Sequence, residues 1–154
     1  AKKTGSLFEL CFEIAALVSE NYEDHIKDLK DLGRNLGIIF QIQDDILELT
    51  SDNDIMGKGT FSDIDRNKKT ILTCLAMEKN LSEWNKLIQA INKKNSFEKK
   101  ESINDFFNKK NLREESNNLL SKYKNKCNEI IFKLPEEIQG GLNELISYII
   151  KRDK

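Results

Sequence analysis

An all-α helical bundle is the fold class this sequence predicts, on three observations. Apolar residues recur at helical spacing almost throughout the chain. No segment shows the strict alternation of a half-buried strand. One proline and seven glycines in 154 residues are too few turn signals for an all-β fold. That length fits one domain with a sizeable core.

The elements follow in order. Leu7, Leu10, Cys11, Ile14, Leu17 and Val18 form the apolar arc of a first helix ending near Asn21. Residues 23–49 read as one long helix, with Ile26, Leu29, Leu32, Leu36, Ile39, Phe40, Ile46 and Leu47 on its apolar side. A polar, glycine-containing loop runs over 50–67. Further helices are predicted at 69–79, 82–92 and 99–109, then from Asn111 to Phe132. Pro135 stops that helix and opens a last one reaching Tyr148–Lys151. Residues 93–111 are polar and rich in Lys and Asn, with only Ile103, Phe106 and Phe107 as apolar anchors. The segment reads as a mobile excursion from the core.

Composition narrows the function classes. Lys+Arg 25 against Asp+Glu 26 gives a formal net charge of −1, so no basic footprint marks a nucleic-acid binder. No apolar run approaches the roughly 20 residues that span a bilayer. The opening Ala1-Lys2-Lys3-Thr4-Gly5 leads into an amphipathic pattern without the features of a secretory leader. Cys11, Cys74 and Cys127 lie far apart, form no CxxC pair and sit in helical, apolar contexts. They read as buried thiols in a reducing compartment, with the cytoplasm as default.

The informative stretch is Phe40-Gln41-Ile42-Gln43-Asp44-Asp45-Ile46-Leu47-Glu48. On a helix, Gln41, Asp44, Asp45 and Glu48 share an arc of roughly 100°. Like charges three and four residues apart repel, so grouping these carboxylates beside an apolar arc suits a bound cation. Oxygen ligands shared with water and phosphate suit Mg²⁺. A solvated acidic helix end is the alternative at this point. Gly33 and Gly37 leave either room for a ligand or a close helix–helix approach.

The following segment holds Met56-Gly57-Lys58-Gly59, Ser62-Asp63-Ile64 and Asn67-Lys68-Lys69-Thr70. Cations on a glycine-flanked loop after a carboxylate group suit a diphosphate bridged by metal ions. The Gly57-Lys58-Gly59 run is no P-loop, because the hydroxyl residue after Lys and the upstream glycine are missing. Nor is Asp52–Asp63 a calcium loop: Met56 fills a ligand position and Asp63 stands where Glu closes such loops.

Together these motifs resemble the second aspartate-rich region of the trans-isoprenyl diphosphate synthases, the polyprenyl synthetase family. Its pattern there is FQ, two residues, DDxxD, a GK loop, an acidic-aliphatic pair and GKxT. Lys3-Thr4-Gly5 resembles the family's KT motif, and the ending LISYIIKRDK the basic-tailed last helix of short-chain members. The resemblance implies that residues 1–154 are the C-terminal half of a bundle of the isoprenoid synthase type, closest to short-chain farnesyl and geranylgeranyl diphosphate synthases. It implies a prenyltransferase that condenses isopentenyl diphosphate with an allylic diphosphate and releases pyrophosphate, with Mg²⁺ as cofactor.

By the same resemblance, Asp44 ligates one Mg²⁺ directly, while Asp45 and Glu48 hold its water shell and the homoallylic substrate. Lys3 and Lys58 contact the allylic diphosphate, and Lys68 supports that region. Thr4 and Gln41 turn their dipoles toward the developing allylic cation. Arg152 and Lys154 help close the cavity mouth.

Two positions depart from the pattern: Glu48 replaces the last Asp, and Asn67 the glycine before Lys68. Nothing in the chain resembles the family's first aspartate-rich motif, to which two of the three metal ions belong. The resemblance therefore implies a homodimer of a longer chain, or a partner chain carrying that motif. The competing reading is a non-catalytic small subunit or binding module of a heteromeric prenyl synthase.

Overall fold

A computed structural model describes residues 2–19, 21–50, 64 and 69–152. All the regular structure among them is helical. In order come α1 (Lys2–Val18), a 3₁₀ turn (Glu23–His25), α2 (Ile26–Thr50), α3 (Ile71–Ile91), α4 (Ser96–Lys109), α5 (Leu112–Ile131) and α6 (Glu136–Lys151). The predicted fold class and the order of helices hold. The predicted loop after α2 lies outside the described residues apart from Ile64.

The chain divides into two compact units, Ala1–Gln43 with Asn118–Asp153 and Asp44–Asn117. Each has its own core. In the first, α2 contributes Leu29, Leu32, Leu36 and Ile39, and α5 and α6 contribute Cys127, Ile131, Ile146 and Ile149. In the second, Trp84 of α3 meets Phe106 and Phe107 of α4. Its ring lies nearly parallel to that of Phe107, with centroids 6.1 Å apart. Residues 93–111, read from the sequence as an excursion, hold α4, and its Ile103, Phe106 and Phe107 are buried in this core.

The helix boundaries have local causes. Thr70 caps α3, its side chain accepting from the Thr73 N–H, and Asn95 caps α4 by accepting from the Glu98 N–H. Within α3, Asn80 leaves helical geometry (φ −162°, ψ 91°). Its side chain accepts from the Glu83 N–H at 3.0 Å and donates to the Glu83 carboxylate, capping a second stretch. The two helices predicted at 69–79 and 82–92 meet at that break. Asn111, at φ 53°, turns the chain from α4 into α5, a conformation Asn tolerates better than most residues.

The packed face of α1 differs from the predicted one. Leu7, Leu10, Ile14, Leu17 and Val18 are all at least 49% exposed, and Cys11 is exposed too. Phe8, Phe12 and Ala16 pack into the core instead. The helix is apolar on both sides, so periodicity alone cannot choose between them. The expectation of three buried thiols is corrected as well: Cys127 is buried, Cys74 half-buried and Cys11 exposed, all three free.

Candidate functional site

The first unit sets the KT turn against α2. An ideal Cβ on Gly37 would lie 2.5 Å from the Gly5 Cα and 3.4 Å from the Thr4 carbonyl oxygen. One on Gly33 would lie 2.7 Å from the Phe8 carbonyl oxygen. Both glycines therefore serve close helix contact, the second of the two readings left open above. Ion pairs extend the register: Arg34 Nη2 meets Glu9 Oε1 at 2.7 Å, and Lys30 Nζ meets Glu13 Oε1 at 2.8 Å. Higher numbers on α1 face lower numbers on α2, so the helices run antiparallel. The turn holding Lys3 and Thr4 thus lies along α2 just before Gln41.

Thr4 and Gln41 are both half-buried. Beside Gln41, the Phe40 ring packs against Phe8, with centroids 5.6 Å apart. The Arg152 guanidinium, at the end of α6, stands over the Phe40 ring at 4.2 Å from its centroid. Sequence reading had no means of finding this pair. Phe40 reads as core and Arg152 as tail, and only the fold brings them together.

The acidic run lies on the last turns of α2, which continues to Thr50. Asp44 is half-buried. Asp45, the next residue, is 4% exposed, and its Oδ2 accepts from the Ile71 N–H at 2.7 Å. Adjacent helical residues point about 100° apart, so the two carboxylates have different surroundings. Ile71 opens α3, and its N–H is one of the donors that the helix itself cannot satisfy. Thr70, the last residue of the GKxT-like run, is the cap residue of the same helix.

Lys3 and Glu48 lie in α1 and α2, but their side chains fall outside the described residues, as do Lys58, Lys68 and Lys154 entirely. Among the described side chains no three of His, Cys, Asp or Glu stand together as metal ligands would, a set that does not include Glu48. No helix among the described residues is long and apolar enough to cross a membrane.

The sequence model of the polyprenyl synthetase family matches residues 1–109, the stretch that carries every motif from Lys3-Thr4 to Thr70. The chain is 37% identical to a geranylgeranyl diphosphate synthase of Sulfolobus acidocaldarius, over all of this chain and 48% of the relative. It is 30% identical to one of Saccharolobus solfataricus, over 99% of this chain and 47% of the relative. Among solved structures, it resembles a geranylgeranyl pyrophosphate synthetase from Pyrococcus horikoshii with a TM-score of 0.82 at 30% identity. That match covers 98% of this chain and 46% of the other. The chain thus spans about half the length of the relatives it matches. Helical architecture, an acidic run ending the long helix, a KT turn fixed against it and these matches agree: the chain belongs to the polyprenyl synthetase family.

Proposed function

We propose that this chain supplies the second acidic half of a trans-prenyltransferase active site. The reaction is the condensation of isopentenyl diphosphate with an allylic diphosphate, releasing pyrophosphate. The observation that carries the reading is the register of α1 on α2. It sets the Lys3-Thr4 turn along α2 just before Gln41, on the helix that then bears Asp44.

The donor set suits Mg²⁺, because carboxylate oxygens are acceptor-only and hard. Asp44, half-buried, would hold the ion directly, and Glu48, one turn further along α2, would hold its water shell. Bound there, Mg²⁺ supplies charge stabilisation to the departing pyrophosphate. Lys3, Lys58 and Lys68 bind the same oxygens as cations, and Lys58 lies in a glycine-flanked stretch. The Thr4 and Gln41 oxygens face positive charge as it develops on the allylic carbon. The Phe8–Phe40 pair gives that end of the site an apolar wall that excludes water from the cation. Arg152, held over Phe40, keeps its charge at the edge of that wall.

Residues outside these 154 supply the first aspartate-rich motif, and the working protein is a homodimer of the longer chain. The relatives are synthases, which favours this over a modulating subunit. Calorimetry of pyrophosphate binding, with and without Mg²⁺, tests the half-site. Binding should require Mg²⁺ and weaken at least ~100-fold in Asp44→Asn, as expected for the loss of a metal ligand. Binding that ignores Mg²⁺ or the substitution, or no binding at all, would sink the reading.

A further inference from the structure

We infer that Asp45 is a positioning residue of this site and not a cation ligand. Its buried carboxylate fastens the start of α3 to the end of α2, the helix end that bears Asp44. The inference deepens the proposed function and rests on it for the role of Asp44. The fastening itself stands on geometry alone.

Three observations support it. First, Asp45 is 4% exposed while its neighbour Asp44 is half-buried, so the two adjacent carboxylates do not share one environment. Second, Oδ2 of Asp45 accepts from the Ile71 N–H at 2.7 Å, within the short range of charge-assisted bonds. A carboxylate at the first turn of a helix also faces the positive end of its dipole. Third, the donors at this helix start are divided between two side chains. Asp45 takes the Ile71 N–H, and Thr70 Oγ1 takes the Thr73 N–H at 3.2 Å. The Cys74 N–H already bonds to the Thr70 carbonyl at 3.0 Å, the first bond of the regular ladder.

The chemistry follows from these positions. A carboxylate taken out of water needs a hydrogen-bonded partner, and the Ile71 amide is one. Swinging the buried carboxylate out toward a hydrated cation would break that bond and leave a buried donor without its acceptor. The bond joins residue 45 to residue 71, so the last turns of α2 and the first turn of α3 are held together.

The test uses three variants: Asp45→Asn, Asp45→Ala and Asp44→Asn. An asparagine carbonyl can still accept from Ile71, whereas alanine cannot. Hydrogen exchange of the Ile71 amide reads the fastening without any ligand. It should stay slow in Asp45→Asn and Asp44→Asn and accelerate on the order of 10–100-fold in Asp45→Ala, the range for losing a bond to a charged group. Mg²⁺-dependent pyrophosphate affinity reads the role. Asp45→Asn should stay within about threefold of the parent, while Asp44→Asn falls at least ~100-fold.

Unchanged Ile71 exchange in Asp45→Ala would overturn the fastening. If Asp45→Asn lost pyrophosphate affinity as fully as Asp44→Asn, Asp45 would be a cation ligand and the inference would fall. If the parent bound no pyrophosphate, the proposed function would fail while the exchange result still decided the fastening. Should Asp45→Ala not fold, the asparagine variant alone separates ligand from positioning residue.

Discussion

Replacing Gly37 by alanine should destabilise the protein, while the same change at Gly140 should stabilise it, although both glycines lie inside helices. The added methyl at Gly37 would sit 2.5 Å from the Gly5 Cα and 3.1 Å from the Gly5 nitrogen. Carbon–carbon contacts settle at about 3.5–4.0 Å, so α1 and α2 must part by about 1 Å. Both obstructing atoms are backbone, and no rotamer change can relieve them. Overpacking of this kind costs about 1–3 kcal/mol, offset by the ~1 kcal/mol that alanine gains over glycine in a helix. The net expectation is a loss of up to about 2 kcal/mol. At Gly140 and Gly141 a Cβ would meet nothing within 4 Å. Only the propensity term remains there, a gain of about 0.5–1 kcal/mol for each substitution. Urea unfolding followed by far-UV circular dichroism compares Gly33→Ala, Gly37→Ala, Gly140→Ala and Gly141→Ala under one protocol. A Gly37→Ala midpoint at or above the parent's would refute the close contact between α1 and α2. It would also remove the register that brings Thr4 toward Gln41.

Two further outcomes follow from burial. Burial pushes the Cys127 thiol from 9.0 up to about 12. The folded protein then keeps a proton that the unfolded chain releases above its ordinary thiol pKa. This contribution to stability is whole below about pH 9 and is lost as pH rises toward about 12. Cys127→Ser should flatten that part of the stability–pH curve, and an unchanged slope would count against the assignment. Phe107→Ala removes a fully buried ring from the core around Trp84 and should cost about 3–5 kcal/mol. A loss below about 1 kcal/mol in urea unfolding would show that α4 does not hold that core together.

How far the sequence could be read depends on the scale of each feature. The helices were legible because each carries its own period and its own stops, down to the break at Asn80, which falls between the stretches predicted at 69–79 and 82–92. The acidic run, the KT turn and the family were legible as local strings. The buried face of α1 was not, because Leu7, Leu10 and Ile14 are as apolar as Phe8, Phe12 and Ala16, and only the neighbours of the helix choose between them. Gly33 and Gly37 stayed ambiguous for the same reason: a missing side chain does not say what approaches it. The helical period grouped Asp45 with Asp44 on one arc, and the two differ because an amide 26 residues away meets only one of them. Residues 93–111 look polar in composition, yet their three apolar anchors reach the second core because α4 spaces them three and four apart.

The division into two units also sorts the chain's chromophores. Its single tryptophan, Trp84, belongs to the second unit, while its three tyrosines, Tyr22, Tyr123 and Tyr148, all belong to the first. Emission excited beyond the tyrosine absorption band therefore reports on one unit, and tyrosine absorbance, once the tryptophan's share is subtracted, on the other, without any label. A denaturation curve read at both wavelengths resolves whether the unit bearing the acidic residues melts together with the unit bearing the KT turn. The protein carries its own two-colour readout of cooperativity.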